Sequence, residues 1–225
     1  MDRPSEVGVL TSLGQTYLAL GRAELSDGFA ARAEQSFVTS ICVALRTIKE
    51  SPGFRRVAWK TAADAAFCLS NRSSFINNEL VCSVLSEVAT LLSVDSGDRL
   101  SGIMSLNSLQ SDSPLNGIQS LEIAVAAYDY RISLGSSDNA GSGSAWFDLG
   151  IALYSWATKV STGEKQQRAE NEAIICLKAA LCKDPGNDAY WNAFGNANFS
   201  HHAKIAQHAY IKALDIDPKV SSIWS

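Results

Sequence analysis

Residues 184–199 read Asp184-Pro-Gly-Asn-Asp-Ala-Tyr-Trp191-Asn-Ala-Phe-Gly195-Asn-Ala-Asn-Phe199, and the fold turns on this stretch. Proline cannot continue a helical hydrogen-bond ladder and glycine readily takes turn conformations, so Asp184-Pro185-Gly186-Asn187 stops one helix. Asp188 is placed to cap the next, which Trp191, Phe194 and Gly195 open. The punctuation returns 33 residues later, with Pro218 following Pro185 and Trp224 following Trp191. Between them Ala206, Tyr210 and Ala213 recur at i, i+4 and i+7, one face of a helix that Asp217-Pro218 closes.

Upstream, Ala145-Trp-Phe-Asp-Leu-Gly150 repeats the opening phrase. Trp146, Leu149, Gly150 and Leu153 share one helical face, and Ala173, Leu177 and Ala180 supply the returning helix. Glycine costs about 1 kcal/mol relative to alanine inside a helix, so Gly150 makes sense where a second helix approaches the backbone closely. Charged residues from Lys159 to Glu170 are extra relative to the Trp191 unit and suit a solvated extension. Asn198 stands in a slot that usually holds a large apolar residue, which predicts a small local shift in packing. Helix pairs with a period of about 34 residues are the signature of tetratricopeptide arrays. The expected fold is therefore all-α, a tetratricopeptide-repeat α-solenoid of antiparallel helix pairs in a superhelix.

Nearer the N-terminus the register loosens. Leu10, Leu13, Gly14 and Tyr17 match a first helix, and Ala33, Phe37 and Ser40 its partner, with roughly seven extra residues between. Trp59, Ala62, Ala63 and Ala66 fit another first helix, with Leu80, Val84, Leu85 and Val88 as its mate. Four regions result: irregular helical repeats over 1–92, a Ser-rich loop or insertion over 93–119, a helix and flexible connector over 120–144, and well-defined repeat units over 145–225. A short helix is expected near Ile103 to Leu109, and residues 136–144 read as flexible. Trp224 begins a third unit with no polar capping helix after it, which predicts a chain that stops inside a longer array.

Composition narrows function. Hydrophobic residues make up 46%, enough to bury a core, and a net charge of −4 with pI near 5.4 leaves no basic footprint for direct nucleic-acid binding. No apolar run reaches the length of a membrane span, and the first residues lack the apolar core of a signal peptide. A cytoplasmic location follows, with the nucleus as a second. Cys42, Cys68, Cys82, Cys176 and Cys182 form no CxxC pair and read as small buried hydrophobes. His201, His202 and His208 have no metal-ligand spacing. No Walker loop, GxGxxG, GxSxG or HExxH occurs, and Glu122 and Asp148 read as single solvated carboxylates. Neither catalysis nor a cofactor, metal or small-molecule substrate is expected. First helices line the concave groove of such arrays, and residues offset from the packing positions face it. These are Phe147, Ile151 and Tyr154 in one unit, and Asn192, Asn196 and Phe199 in the next. They lack the Lys and Arg that would grip a C-terminal carboxylate.

Beyond the generic repeat, Ala145-Trp-Phe-Asp-Leu-Gly-Ile-Ala-Leu-Tyr154, the stretch over 184–199 and Ala206-Gln-His-Ala-Tyr-Ile-Lys-Ala-Leu-Asp-Ile-Asp217 resemble the tetratricopeptide subunits of superkiller (Ski) complexes. The charged insertion, the Asn-Ala-Asn-Phe phrase and Arg55-Arg-Val-Ala-Trp-Lys60 fit the same family. The resemblance implies a long cytoplasmic scaffold holding a DExH-type RNA helicase and WD-repeat propellers, in a complex that feeds mRNA 3′ end first to the exosome. RNA would then be met only indirectly. Another tetratricopeptide adaptor, of chaperone or transport type, is the alternative.

Overall fold

The computed structural model describes residues 4–95, 100, 103–104, 115–135, 142–160 and 163–218. Among them lie nine α-helices and no strand, in two compact units, Met1–Ser136 and Ser137–Ser225.

The first unit opens with α1 (Pro4–Ser26) and α2 (Ala30–Glu50), joined by a tight turn at Gly28, whose φ of 84° suits glycine. Their register differs from the expected one. The close approach falls at Gly21, where an added Cβ would lie 2.7 Å from the Phe37 ring and 3.2 Å from the Ala33 carbonyl. Gly14 sits two turns earlier and faces Ser40, whose hydroxyl donates to its carbonyl at 2.8 Å. The supposed extra residues are thus not a loop: they lengthen both helices. Leu13 is correspondingly 40% exposed rather than packed, whereas Ala33, Phe37 and Ser40 are buried as expected.

This register carries a sign test. At Gly14 an added Cβ would meet its nearest neighbours at 3.4–3.8 Å, ordinary contact. Gly14→Ala should therefore gain helix propensity, up to about 1 kcal/mol. Gly21→Ala should lose about 1–3 kcal/mol through overpacking. Thermal melts of both variants check this, and equal shifts of the same sign would contradict the register.

A short 3-10 turn, Pro52–Phe54, leads into α3 (Arg55–Leu69), followed by α4 (Asn78–Asp95) and α5 (Gly117–Ser133). The helix carrying Leu80 to Val88 was the expected mate of α3, but α3 pairs with α5. Ser120 donates to the Ala66 carbonyl at 2.8 Å, Tyr128 to Asp64 at 2.6 Å, and Trp59 meets Tyr130 edge-on at 5.2 Å. Small faces explain the choice. Ala58, Ala62 and Ala66 on α3 and Ser120, Ala124 and Ala127 on α5 are all small and buried, which lets the two helices cross closely. The bulkier stripe of α4, Val81, Val84, Leu85, Val88 and Leu92, is buried where α4 packs on α2 and α5. The segment leading into α4 is held by buried Glu34, whose carboxylate accepts from the backbone N–H groups of Ile76 and Asn77 at 2.9 and 2.7 Å.

Asn116 caps α5: its side chain accepts from Ile118 and Gln119 backbone N–H groups, and the Gln119 side chain accepts from the Asn116 N–H at 2.7 Å. Beyond Met104, the short helix expected near Ile103 to Leu109 lies outside the described residues.

The second unit contains α6 (Gly143–Lys159), α7 (Glu164–Lys183), α8 (Asp188–Asn198) and α9 (Ala203–Ile216). Gly150 is a close approach as expected, with an added Cβ 2.8 Å from Leu177 and 3.3 Å from the Ala173 carbonyl. Gly195 repeats this against Tyr210 at 2.5 Å. Residues Glu164 to Glu170 of the charged insertion form the first turns of α7. Asn187, one residue before the expected Asp188, caps α8 by accepting from the Tyr190 N–H. Asn198 is only 1% exposed, and its amide donates to the Phe194 carbonyl at 2.7 Å, so the polar group is satisfied within its own helix. Trp224 and the third unit it was expected to begin lie outside the described residues, as do residues 136–141 of the expected connector.

Candidate functional site

The six expected groove residues separate into two groups. Phe147, Ile151 and Tyr154 on α6 are half-buried. Phe147 stacks on Tyr190 with ring centroids 4.7 Å apart, and all three pack with Leu177 of α7 and Ala193 and Ala197 of α8. They form the seat on which α8 rests. Asn192 and Asn196 on α8, and Phe199 just after it, occupy the same repeat positions one unit later. Asn192 is half-buried and Asn196 exposed, its side-chain oxygen accepting from the Tyr210 hydroxyl at 2.8 Å. Phe199 is 69% exposed beside a recess of about 340 Å³ lined by Ala206, Gln207, Tyr210 and Ile211.

The first helices of the two pairs align at an offset of 45 residues and the second helices at 33. Apolar Phe147, Ile151 and Ile174 of the filled seat then correspond to Asn192, Asn196 and Gln207 of the next unit. An amide buried without a partner costs about 1–3 kcal/mol. Whatever packs on Asn192, Asn196 and Gln207 must bring donors and acceptors of its own. Partial burial, and the nearby Tyr154, push the Tyr210 phenol up from its ordinary range, which keeps it a neutral donor to Asn196.

Several polar groups escaped the sequence reading. Asp64, on a buried face of α3, accepts from Tyr128, pairs with Lys60 at 3.0 Å and meets Arg22 at 3.5 Å. This cluster ties α1, α3 and α5 together. The i, i+4 spacing of Lys60 and Asp64 was a visible signal, whereas Tyr128 lies 64 residues away. The Nε2 of His201 lies 2.9 Å from Glu170 of α7, a single pair that links the α8–α9 turn to α7. No group of His, Cys, Asp or Glu among the described residues has the geometry of a metal site.

The cysteines differ from expectation. All five are free thiols, but only Cys176 is buried, while Cys42 and Cys182 are exposed. Burial pushes the Cys68 thiol up, partly offset by Arg22, and burial followed by Glu87 does the same for Cys42. Neither is an activated nucleophile at neutral pH. Iodoacetamide should modify Cys182 in the folded chain and leave Cys176 unmodified until unfolding. Equal rates at the two by peptide mapping would contradict the packing of α7.

No family model matches the chain. Curated proteins do. The chain is similar to Superkiller protein 3. The fission yeast (Schizosaccharomyces pombe) protein of that name is 26% identical over 86% of this chain, and the Saccharomyces cerevisiae one 25% identical over 61%. Tetratricopeptide repeat protein 37 of Xenopus laevis is 24% identical over 97% of it. The chain spans only 14%, 10% and 13% of those three proteins respectively. Helix pairs closed on glycine, together with these relatives, make this an all-α fold of the tetratricopeptide kind, similar to part of Superkiller protein 3. Such a fold suits protein interaction rather than catalysis. No helix among the described residues is long and apolar enough to cross a membrane.

Proposed function

We propose that this chain is part of a non-catalytic scaffold of the Ski type, one that organises a DExH-type RNA helicase and WD-repeat subunits for exosome-dependent, 3′-to-5′ mRNA decay in the cytoplasm. The similarity to Superkiller protein 3 over 86% of the chain carries this reading. The acidic balance agrees with it, since the helicase rather than the scaffold would handle RNA. Depleting the full-length protein from its own cells tests it: a reporter mRNA opened at its 3′ end should decay at least threefold more slowly. An unchanged half-life would overturn the reading.

In this reading Asn192, Asn196 and Phe199 are candidate protein contacts of the second unit. Phe199 is exposed, so Phe199→Ser should leave the melting temperature within about 2 °C, a fraction of 1 kcal/mol for a chain of this size. Partner recovery should fall severalfold. Full recovery with the variant would remove Phe199 from the interface.

A further inference from the structure

The two units treat one kind of groove differently. In the Met1–Ser136 unit, α2 and α5 are the second helices of successive pairs, and α4 lies against both. It does so with an apolar stripe at i, i+3, i+4, i+7 and i+11: Val81, Val84, Leu85, Val88 and Leu92. Lys49 on α2 adds an ion pair with Glu87 on α4. In the second unit, α7 and α9 are likewise the second helices of successive pairs, and between them runs an open groove of about 740 Å³. Its walls include Ile174, Ile175 and Lys178 of α7, Trp191 and Phe194 of α8, and Ile205 of α9. Ile175 is 57% exposed and Ile205 44%.

The groove is built rather than incidental. The α7 residues lining it, from Asn171 to Cys182, form one stripe three helical turns long, about 16 Å. At one end the Trp191 indole N–H donates to the Pro185 carbonyl at 2.8 Å and fixes that wall. At the other, His201 and Glu170 bridge the α8–α9 turn to α7. Lys178 is the single formally charged residue in its lining, which holds no carboxylate, in a chain whose net charge is −4.

We propose that the α7–α9 groove takes an amphipathic helix of a partner protein, with apolar side chains at i, i+3, i+4 and i+7 and a carboxylate that meets Lys178. Helix-in-groove recognition uses this pattern, and in the other unit α4 already covers the second helices of successive pairs, α2 and α5, with such a stripe. The groove is separate from the open face around Phe199. The proposal rests on the reading of the chain as a scaffold, but not on which complex it serves.

Site-specific photo-crosslinking in the full-length protein tests it. Ile175→p-benzoylphenylalanine is expressed in the native cells, irradiated, and its adducts are mapped by peptide mass spectrometry. The expected adduct lies in a segment of another polypeptide with the stated apolar spacing and an acidic residue. Lys178→Glu should cut its yield at least fivefold and Lys178→Arg should hold it within twofold. Lys178 is exposed, and unchanged circular dichroism confirms that both variants fold. Absence of an adduct, an adduct within this chain or a second copy of it, a segment without the pattern, or indifference to Lys178→Glu would each overturn the proposal. Recovery of the helicase with the same protein reports separately on the Ski reading.

Discussion

Trp59→Ala should lower the unfolding free energy by about 3–5 kcal/mol, the range for emptying a buried aromatic site. The indole is only 2% exposed and sits edge-on to Tyr130, where α3 meets α5. Its neighbours lie on two helices with small faces, which have few longer side chains to fill the void. The companion variant makes the prediction specific. Among the described residues the Trp59 N–H meets no acceptor, so the indole contributes packing and no hydrogen bond. Trp59→Phe keeps the ring and removes an unsatisfied buried donor, and it should cost less than about 1.5 kcal/mol. Urea denaturation at unchanged m-value reads both. A Phe variant as damaged as the Ala variant would show that the N–H has a partner.

Gly117→Ala is the second large effect, and it tests helix pairing directly. An added Cβ would lie 2.1 Å from the Arg72 carbonyl and 2.7 Å from the Ser70 carbonyl. Both obstacles are backbone just past the C-terminal end of α3, so no side-chain rotation relieves them. The start of α5 must move away from α3, stretching the Ser120 to Ala66 hydrogen bond and the Tyr128 to Asp64 contact. A loss of about 3 kcal/mol follows, at the upper end of overpacking costs. Amide exchange should accelerate in α3 and α5. A neutral Gly117→Ala, with α3 protection unchanged, would mean that α3 does not take α5 as its partner.

The parts of this fold that were legible in the sequence are those whose signals are local. Asp184-Pro185-Gly186-Asn187 is a complete stop and start within a few residues, and Gly150 and Gly195 announce their close approaches because a large side chain on the returning helix fits over each. The register of α1 on α2 was not legible. Gly14 and Gly21 are seven residues apart, so both share one helical face and give the same phase. Only the partner helix selects between them. The α3–α5 pair was hidden for a related reason: a whole helix, α4, intervenes in sequence, and apolar periodicity does not say which face it joins. The role of Asp64 was not legible either, because its most telling partner comes from α5.

The candidate site was half legible. Offset from the packing face locates groove positions on α6 and α8 alike. On α6 that face is covered by α8, a tertiary fact that offset alone does not announce. The amides at Asn192 and Asn196, against Phe147 and Ile151, mark the two faces as different in polarity. The α7–α9 groove left no such mark. Its lining comes from three helices, and its meaning emerges only beside the α4 packing of the other unit.

The scaffold reading is tested most directly by affinity purification of the tagged, full-length protein from its own cells after nuclease treatment, with recovered proteins quantified against the bait. The account predicts near-stoichiometric recovery of a DExH-type RNA helicase and a WD-repeat protein, unchanged by removal of RNA. Recovery of neither, or a recovery that nuclease abolishes, would contradict it.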